Sequence, residues 1–501
     1  MPWSNYQQNV FNWVRRNAKS RRRAALIVEA VAGSGKTTTI VEAAKLIPAG
    51  TKACFLAFNK AIAEELAKRL PQGIESRTLN SLGFGVVRRQ LGNVKVEAAK
   101  LYTIIDALVA GSPQEGKKEY ARDLHNLVGK AKSHAMVPAE GPYTGYRSSP
   151  SRWAELAARY DVDVPDGEED RFYALAELVL RKNLEDRTQV DFDDMMYFVV
   201  ALNLPTWTYD WLIVDEAQDV SHVQRMMLEK FLRRDGKLIA VGDRRQAIYG
   251  FRGADSSSLD NIAKAFGAET AQLSITYRCA KQIVLAAQGI VPSLEARDDA
   301  PEGVVRTANT FDPTTFVEED LVVCRYMAPV IESAFKLLAQ RIPCRVEGRD
   351  IGTAMQNLTK KIAGKRFSTM GRQEFQVKLD AWREREVAKA AARRDDAKID
   401  NIEDKYSSIL AVADSVDAQT VGAIISGFET IFASSRGVKF STVHRAKGLE
   451  AERVFILEPQ AMPSKRAKQE WQQEQEMNLL YVAITRAKSE LVYLPKSALV
   501  A

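Results

Sequence analysis

Apolar residues in this chain fall in short, dense runs separated by polar helical stretches. Ala25-Leu-Ile-Val28 is the first run, and it leads into the loop Ala32-Gly-Ser-Gly-Lys-Thr37. Thr38 to Leu46 then reads as a helix and Lys52 to Phe58 as a second strand. In Lys60 to Leu70, the residues Ile62, Leu66 and Leu70 fall on one helical face. Strands alternating with helices predict a parallel sheet.

Between residues 93 and 184 the pattern becomes mostly helical, with turns at Gly111-Ser-Pro113, Gly141-Pro142 and Pro165-Asp-Gly167. Strand-like runs return at Trp211 to Glu216 and Lys237 to Asp243. They continue at Leu321 to Arg325, Val438 to Val443 and Val454 to Leu457. A second helical insertion spans 351–434 and is at first rich in charge. Its segment Arg383 to Arg394 is a strong helix former whose charges read as a solvated face. The chain has no internal repeat and no low-complexity tract.

At 501 residues the chain is too long for one core, and two to four domains are expected. A net charge of +7 favours polyanions without establishing that one is bound. Cys54, Cys279, Cys324 and Cys344 form no CxxC pair, so zinc spacing is absent and free thiols in a reducing compartment are expected. No apolar leader opens the chain, and no run approaches the roughly 18 apolar residues of a membrane helix. These features predict a soluble cytoplasmic protein without a membrane partner.

The loop from Ala32 to Thr37 sits between a strand and a helix, the setting a phosphate loop requires. Gly33, Ser34 and Gly35 are small enough for backbone N–H groups to close around phosphate oxygens. Lys36 would bring positive charge to those oxygens, and the Thr37 hydroxyl would ligate Mg²⁺. Ala30 stands where the usual pattern begins with glycine. Val214-Asp-Glu216 ends a strand, where an open α/β sheet meets its ligand. Asp215 could hold Mg²⁺ through its waters, and Glu216 could take a proton from an attacking water. Arg278 and Arg486 are candidates for charge on a transferring phosphoryl group, although a surface ion pair is the commoner use of an arginine.

Taken in order, these segments resemble superfamily 1 helicases of the UvrD/Rep type, from Gln7 to Arg486. Ser4-Asn-Tyr-Gln-Gln8 resembles the segment whose glutamine reads adenine, which implies Gln7, with Gln8 as the alternative. Ala32 to Thr37 resembles motif I, with Val31 and Thr38 in place of a glycine and an arginine; Thr38 would lie on the adenine side. Phe55 to Ala61 and Thr78-Leu-Asn-Ser81 resemble motifs Ia and Ib, implying nucleic-acid contacts from Phe58, Asn59, Thr78 and Asn80. Val190-Asp-Phe-Asp-Asp-Met195 matches a further segment typical of the family.

Val214 to Asp219 resembles motif II, and Gly242 to Asp255 resembles motif III. The latter implies that Gln246 senses the γ-phosphate while Tyr249 and Phe251 stack on DNA bases, with Arg252 binding DNA nearby. Tyr277-Arg278 resembles motif IV, with the tyrosine on adenine and the arginine on the γ-phosphate. Thr442 to Glu450 resembles motif V, which implies Glu450 on the ribose and His444 on the DNA strand. Glu476 to Ala487 resembles motif VI, with Arg486 as the arginine finger.

The resemblance implies two RecA-like parallel-sheet motor domains, at 1–92 with 185–272 and at 273–350 with 435–501, with ATP and Mg²⁺ in the cleft between them. The helical insertions at 93–184 and 351–434 become accessory domains. The expected activity is an ATP-dependent DNA helicase moving 3′→5′ on single strands and acting at single-strand to duplex junctions. A monomer or weak oligomer is expected, with 351–434 available to a replication or repair protein. A translocase that displaces bound proteins, and a nucleotide-gated DNA-binding subunit of a larger complex, remain as alternatives.

Overall fold

The structure is a computed structural model that describes residues 2–109, 117–160, 162, 164–165, 167–248, 257–365, 367–392 and 396–500. It divides into two compact units, Met1–Ala30 with Gly35–Leu273, and Val31–Ser34 with Ser274–Ala501.

The first unit is built on six strands: β1 (Ala24–Ala30), β2 (Ala53–Leu56), β3 (Ile74–Arg77), β4 (Tyr209–Val214), β5 (Leu232–Gly242) and β6 (Glu269–Leu273). They form one sheet in the order β6-β1-β5-β4-β2-β3, and every pairing is parallel. Successive side chains of a strand point to opposite faces, and β1 divides its residues accordingly. Leu26 and Val28 join a core with α1 (Asn5–Ala18), α2 (Lys36–Ala44) and α3 (Lys60–Ala67), through Val10, Phe11, Ile40 and Leu66. Ala25 and Ile27 face the opposite core, which is built with α4 (Leu79–Leu91) and helices that follow it. Burial on both faces is why these strands read as unbroken apolar runs.

The helices after α4 are α5 (Lys100–Leu108), α6 (Lys117–Ser133), α7 (Pro150–Arg159), α8 (Glu169–Glu185), α9 (Asp194–Ala201), α10 (His222–Phe231) and α11 (Ser258–Phe266). Leu101, Ile105, Leu124, Leu127, Phe172 and Leu180 of α5, α6 and α8 belong to the same buried cluster as Leu82, Val86 and Leu212. The helical insertion therefore shares a core with the sheet. A parallel pair of two-residue strands, Lys95–Val96 with Gln189–Val190, ties its entry to its exit. At the crossing of α4 and α9, a Cβ on Gly83 would lie 2.1 Å from the carbonyl oxygen of Met195. Only glycine permits that approach.

The second unit repeats the plan with β7 (Val304–Thr307), β8 (Leu321–Cys324), β9 (Cys344–Val346), β10 (Val438–Thr442), β11 (Ala451–Leu457) and β12 (Ala487–Leu494). The order is β7-β12-β11-β8-β10-β9, again all parallel. Its helices are α12 (Lys281–Gln288), α13 (Met327–Ala339), α14 (Arg349–Ala363), α15 (Arg372–Ala392), α16 (Asp396–Ser415), α17 (Val421–Ala433), α18 (Val443–Ala446) and α19 (Glu470–Ile484). Part of the charge run on α15 is partnered, since Arg383 makes a two-pronged pair with Glu403 of α16 at 2.7 and 2.8 Å. Asp404 of α16 accepts the Met327 and Ala328 N–H groups at 2.8 and 3.1 Å, capping the start of α13.

The fold is thus α/β, with two parallel-sheet regions and helical content inserted in each. All four cysteines are free and buried. Among the described residues no helix is long and apolar enough to cross a membrane.

Candidate active site

In the first unit β1, β5 and β4 lie side by side and end at the same edge of the sheet. After β1 the chain turns through the glycine loop and enters α2. Gly33 and Gly35 hold positive φ values of 72° and 73°, and Gly35 is the N-cap of α2 with no side-chain cap. An uncapped helix start presents N–H groups and the positive end of the helix dipole. The Ser34 hydroxyl is buried without a hydrogen-bond partner. An orphaned buried donor in a phosphate loop fits an oxygen-rich ligand.

Four expected residues converge at this edge. Lys36 Nζ lies 3.4 Å from Glu216 Oε1, and the Thr37 hydroxyl donates to Asp215 Oδ2 at 3.1 Å. Asp215 Oδ1 accepts the Glu216 N–H at 2.9 Å, while Glu216 sits in the left-handed region with φ 52°. A left-handed non-glycine residue is uncommon and is held there by its surroundings. The Gln218 amide donates to the Glu216 carboxylate, and its oxygen accepts the Asp243 N–H at 3.1 Å. Gln246 Nε2 donates to Asp243 Oδ2 at 2.7 Å, which links it to the same group. Gly242 makes room for this arrangement, because a Cβ there would meet Gln218 Oε1 at 2.5 Å.

The electrostatics are unbalanced. Burial and the neighbouring Glu216 push the Asp215 carboxyl up to about 6. Burial also raises Asp243, with Lys36 opposing. Burial works against the Lys36 charge, yet Glu216, Asp243 and Asp215 outweigh it and hold its pKa above the ordinary lysine value. Crowded carboxylates that resist ionising, beside a threonine hydroxyl, make a hard oxygen donor set that suits Mg²⁺. Among the described residues no group of His, Cys, Asp and Glu forms a metal cage of its own. A Mg²⁺ here would take its other ligands from phosphate and water.

Gln7 is committed locally. Its oxygen accepts the Ser4 N–H and its amide donates to the Thr39 hydroxyl, both at 3.0 Å. The amide thus closes the capping box of α1 and ties α1 to α2. Thr39 is buried, whereas the expected Thr38 is exposed and Gln8 is half-buried.

The second unit gathers another set. Arg278 Nε pairs with Glu450 Oε2 at 2.7 Å, and its Nη1 donates to the Thr485 carbonyl at 3.1 Å. Lys488 Nζ lies 3.0 Å from Glu450 Oε1. Burial works against the Glu450 charge, but Lys488 and Arg278 outweigh it and hold the carboxyl low. Arg486 is 1% exposed and donates to the carbonyls of Val482 and Leu449 at 2.9 and 3.1 Å. Motifs IV, V and VI therefore meet around Thr485, with Glu450 between two cations. Tyr277 is half-buried beside Arg278.

Phe58, Asn59 and Thr78 lie on the turns following β2 and β3, and Asn80 on the first turn of α4. Phe58 is 52% exposed, and Asn59 caps α3 by accepting the Ile62 N–H at 2.9 Å. Thr78 caps α4 by accepting the Ser81 N–H at 3.1 Å. Asn80 Nδ2 donates to the carbonyl of Phe192 at 3.2 Å, and Phe192 is itself 59% exposed. Phe192 was not singled out from sequence. The signal was an aromatic set among aspartates in Val190 to Met195, a polar setting that exposes its ring. In the second unit, His444 lies on α18, half-buried. Tyr249, Phe251 and Arg252 lie outside the described residues.

A strand, an uncapped glycine loop bearing Lys-Thr, and an acidic pair one strand removed define the P-loop class of α/β proteins. The UvrD/REP helicase N-terminal domain model matches residues 12–267, and the UvrD-like helicase C-terminal domain model matches 437–494. The chain belongs to the UvrD/REP helicase family. It is 25% identical to F-box DNA helicase protein 1 of Schizosaccharomyces pombe, over 93% of this chain and 55% of that protein. It is 24% identical to the ATP-dependent DNA helicase PcrA of Bacillus subtilis, over 58% of this chain and 40% of that one. Against the ATP-dependent DNA helicase UvrD2 of Mycobacterium bovis, identity is 24% over 95% of this chain and 77% of that one. The chain therefore spans about half the length of the first two relatives.

Proposed function

We propose that this chain is an ATP-dependent DNA helicase that moves 3′→5′ along single strands and opens duplexes at junctions. The observation that carries this reading is the convergence of Lys36, Thr37, Asp215 and Glu216 at one sheet edge, in a chain whose relatives are named DNA helicases. The motor domains are assigned to 1–92 with 185–272 and to 273–350 with 435–501, and the insertions at 93–184 and 351–434 are their accessory segments.

In this reading the loop amides, Ser34 and Lys36 hold the β- and γ-phosphates, and Thr37 and Asp215 hold Mg²⁺, which neutralises phosphate charge when bound. Glu216 orients a water and accepts its proton; its left-handed backbone and the Gln218 amide fix the carboxylate's direction. Gln246 reaches the same group through Asp243, a route by which a change at the phosphates reaches the segment after it. Arg278 and Arg486 supply positive charge to the transferring phosphoryl group. Arg486 must exchange its backbone acceptors to do so, and Glu450 must release a cation before meeting a ribose. Phe58 and Phe192 offer exposed rings on which bases stack irrespective of sequence.

The deciding experiment is strand separation of forked, 3′-tailed and 5′-tailed duplexes with ATP and Mg²⁺, with Lys36→Ala as control. Separation of forked and 3′-tailed substrates, lost in the variant, is expected. Separation of 5′-tailed substrates alone overturns the polarity, and no separation despite ATP hydrolysis points to a translocase.

A further inference from the structure

Where α5, α6 and α8 of the first unit meet the turn before α9 lies a buried charged cluster that none of the roles above uses. Lys100 of α5 and Lys132 of α6 are 2% and 0% exposed. Lys132 Nζ reaches Asp191 Oδ2 at 2.5 Å and Asp194 Oδ1 at 2.9 Å. Lys100 Nζ reaches Asp194 Oδ2 at 3.0 Å and donates to the carbonyls of Asn183 and Asp186 at 2.9 and 3.0 Å. Asn183 of α8 donates to Asp194 Oδ1 at 2.7 Å. The two carboxylates also lock their own turn: the Asp194 N–H donates to Asp191 at 2.8 Å and the Asp191 N–H to Asp194 at 3.2 Å.

Two ammonium groups face the Asp191 and Asp194 carboxylates at ion-pair distance, and Asp193 of the same turn adds a further negative charge that acts on Lys132. Such pairing does not make the cluster a strong stabiliser, because desolvation offsets most of the attraction and apolar side chains of equal volume could hold the helices as well. Directed charge pairs can also fix one register between elements, a use known for buried polar groups in some folds. Here α5, α6 and α8 are each tied to one turn, Asp191 to Asp194. That turn carries Phe192, whose ring is exposed and whose carbonyl is held by Asn80.

We propose that Lys100 and Lys132 are positioning residues that fix this turn so that Phe192 meets a nucleic-acid strand in one orientation, which gives the helical insertion control over the grip of the sheet domain on that strand. This rests on Phe192 belonging to the nucleic-acid face proposed above.

The test uses the whole chain, binding of a fluorescent oligo-dT strand, DNA-independent ATPase, and thermal unfolding. Phe192→Ala should weaken binding about 5- to 150-fold, the range that loss of one stacked base implies. Lys132→Met should weaken it comparably while leaving DNA-independent ATPase unchanged. The double variant should bind no more weakly than Phe192→Ala alone. A purely structural lysine would lower the unfolding temperature without altering affinity per folded molecule, or would add its loss to that of Phe192→Ala; either result overturns the positioning role and leaves the nucleic-acid face intact. Wild-type binding by Phe192→Ala overturns the face and the proposal together. If Lys132→Met fails to fold, Asp191→Asn takes its place, since it keeps size and an acceptor for the Asp194 N–H and removes only the charge, with the same expectations.

Discussion

Asp215 is the residue whose surroundings make the sharpest claim. Its carboxyl titrates near 6 instead of near 4 because burial and Glu216 disfavour the charged form. At this group the folded state therefore binds a proton more tightly than the unfolded chain, and its contribution to stability falls as pH rises from about 4 to 6. Asp215→Asn should raise the stability of the nucleotide-free protein at pH 7 by about 1–3 kcal/mol, an advantage that fades below about pH 4. Denaturant titrations across that range check it. The same variant should lose ATPase activity. Glu216→Gln should keep nucleotide binding and lose turnover by about 10²-fold or more, measurable by fluorescent-nucleotide binding beside phosphate release. The acidic pair and Lys36 were legible in the sequence because strand, loop and spacing are local patterns. Lys100 and Lys132 were not, because a lysine in a helical stretch reads as solvated until partners some sixty to ninety positions away are brought to it. Gln7, expected on adenine, has its amide shared between the Ser4 cap and Thr39, the second a contact that no local pattern in the sequence pairs in advance.

At the scale of elements, close approach sets the tolerance to change. Gly83→Ala should cost about 3 kcal/mol or more, because its new methyl would collide with the backbone carbonyl of Met195 in α9 instead of with a flexible side chain. Gly242→Ala should cost about 1–3 kcal/mol and turn Gln218 away from Glu216, so ATP turnover should fall with it. Thermal unfolding and turnover measured side by side separate the two. Buried strands such as β1, β4 and β5 were readable as apolar runs. The edge strands β3 and β6 were not, since β3 has no buried position and β6 only its last one, which leaves no apolar run to see. The run Lys52 to Phe58 shortens to β2 because Phe58 and Asn59 already belong to the turn that caps α3. The α1 helix went unread, although Ser4 with Gln7 three residues on is the signature of a capping box.

At the scale of the whole chain, the basic balance of +7 gains meaning from the family. Affinity for single-stranded DNA should fall linearly in log–log form as salt rises, with a slope of about −0.7 for each phosphate neutralised. Titrations at several salt concentrations would give that number, and a flat response would refute an electrostatic grip. Arg486→Ala should abolish hydrolysis; if it abolishes folding instead, the three backbone and side-chain acceptors around the guanidinium are its main office. The α/β class and the presence of helical insertions were visible from the change in pattern at residues 93 and 351, whereas the sharing of a core was not, because periodicity tells which face is apolar and never what covers it. That sharing bears on how the chain could be taken apart. Clipping out α5 to α8 would strip the cover from Leu82 and Val86 and take away the lysine and asparagine partners of Asp191 and Asp194. A shortened version should therefore show an apolar surface to water and precipitate where a modular one would survive.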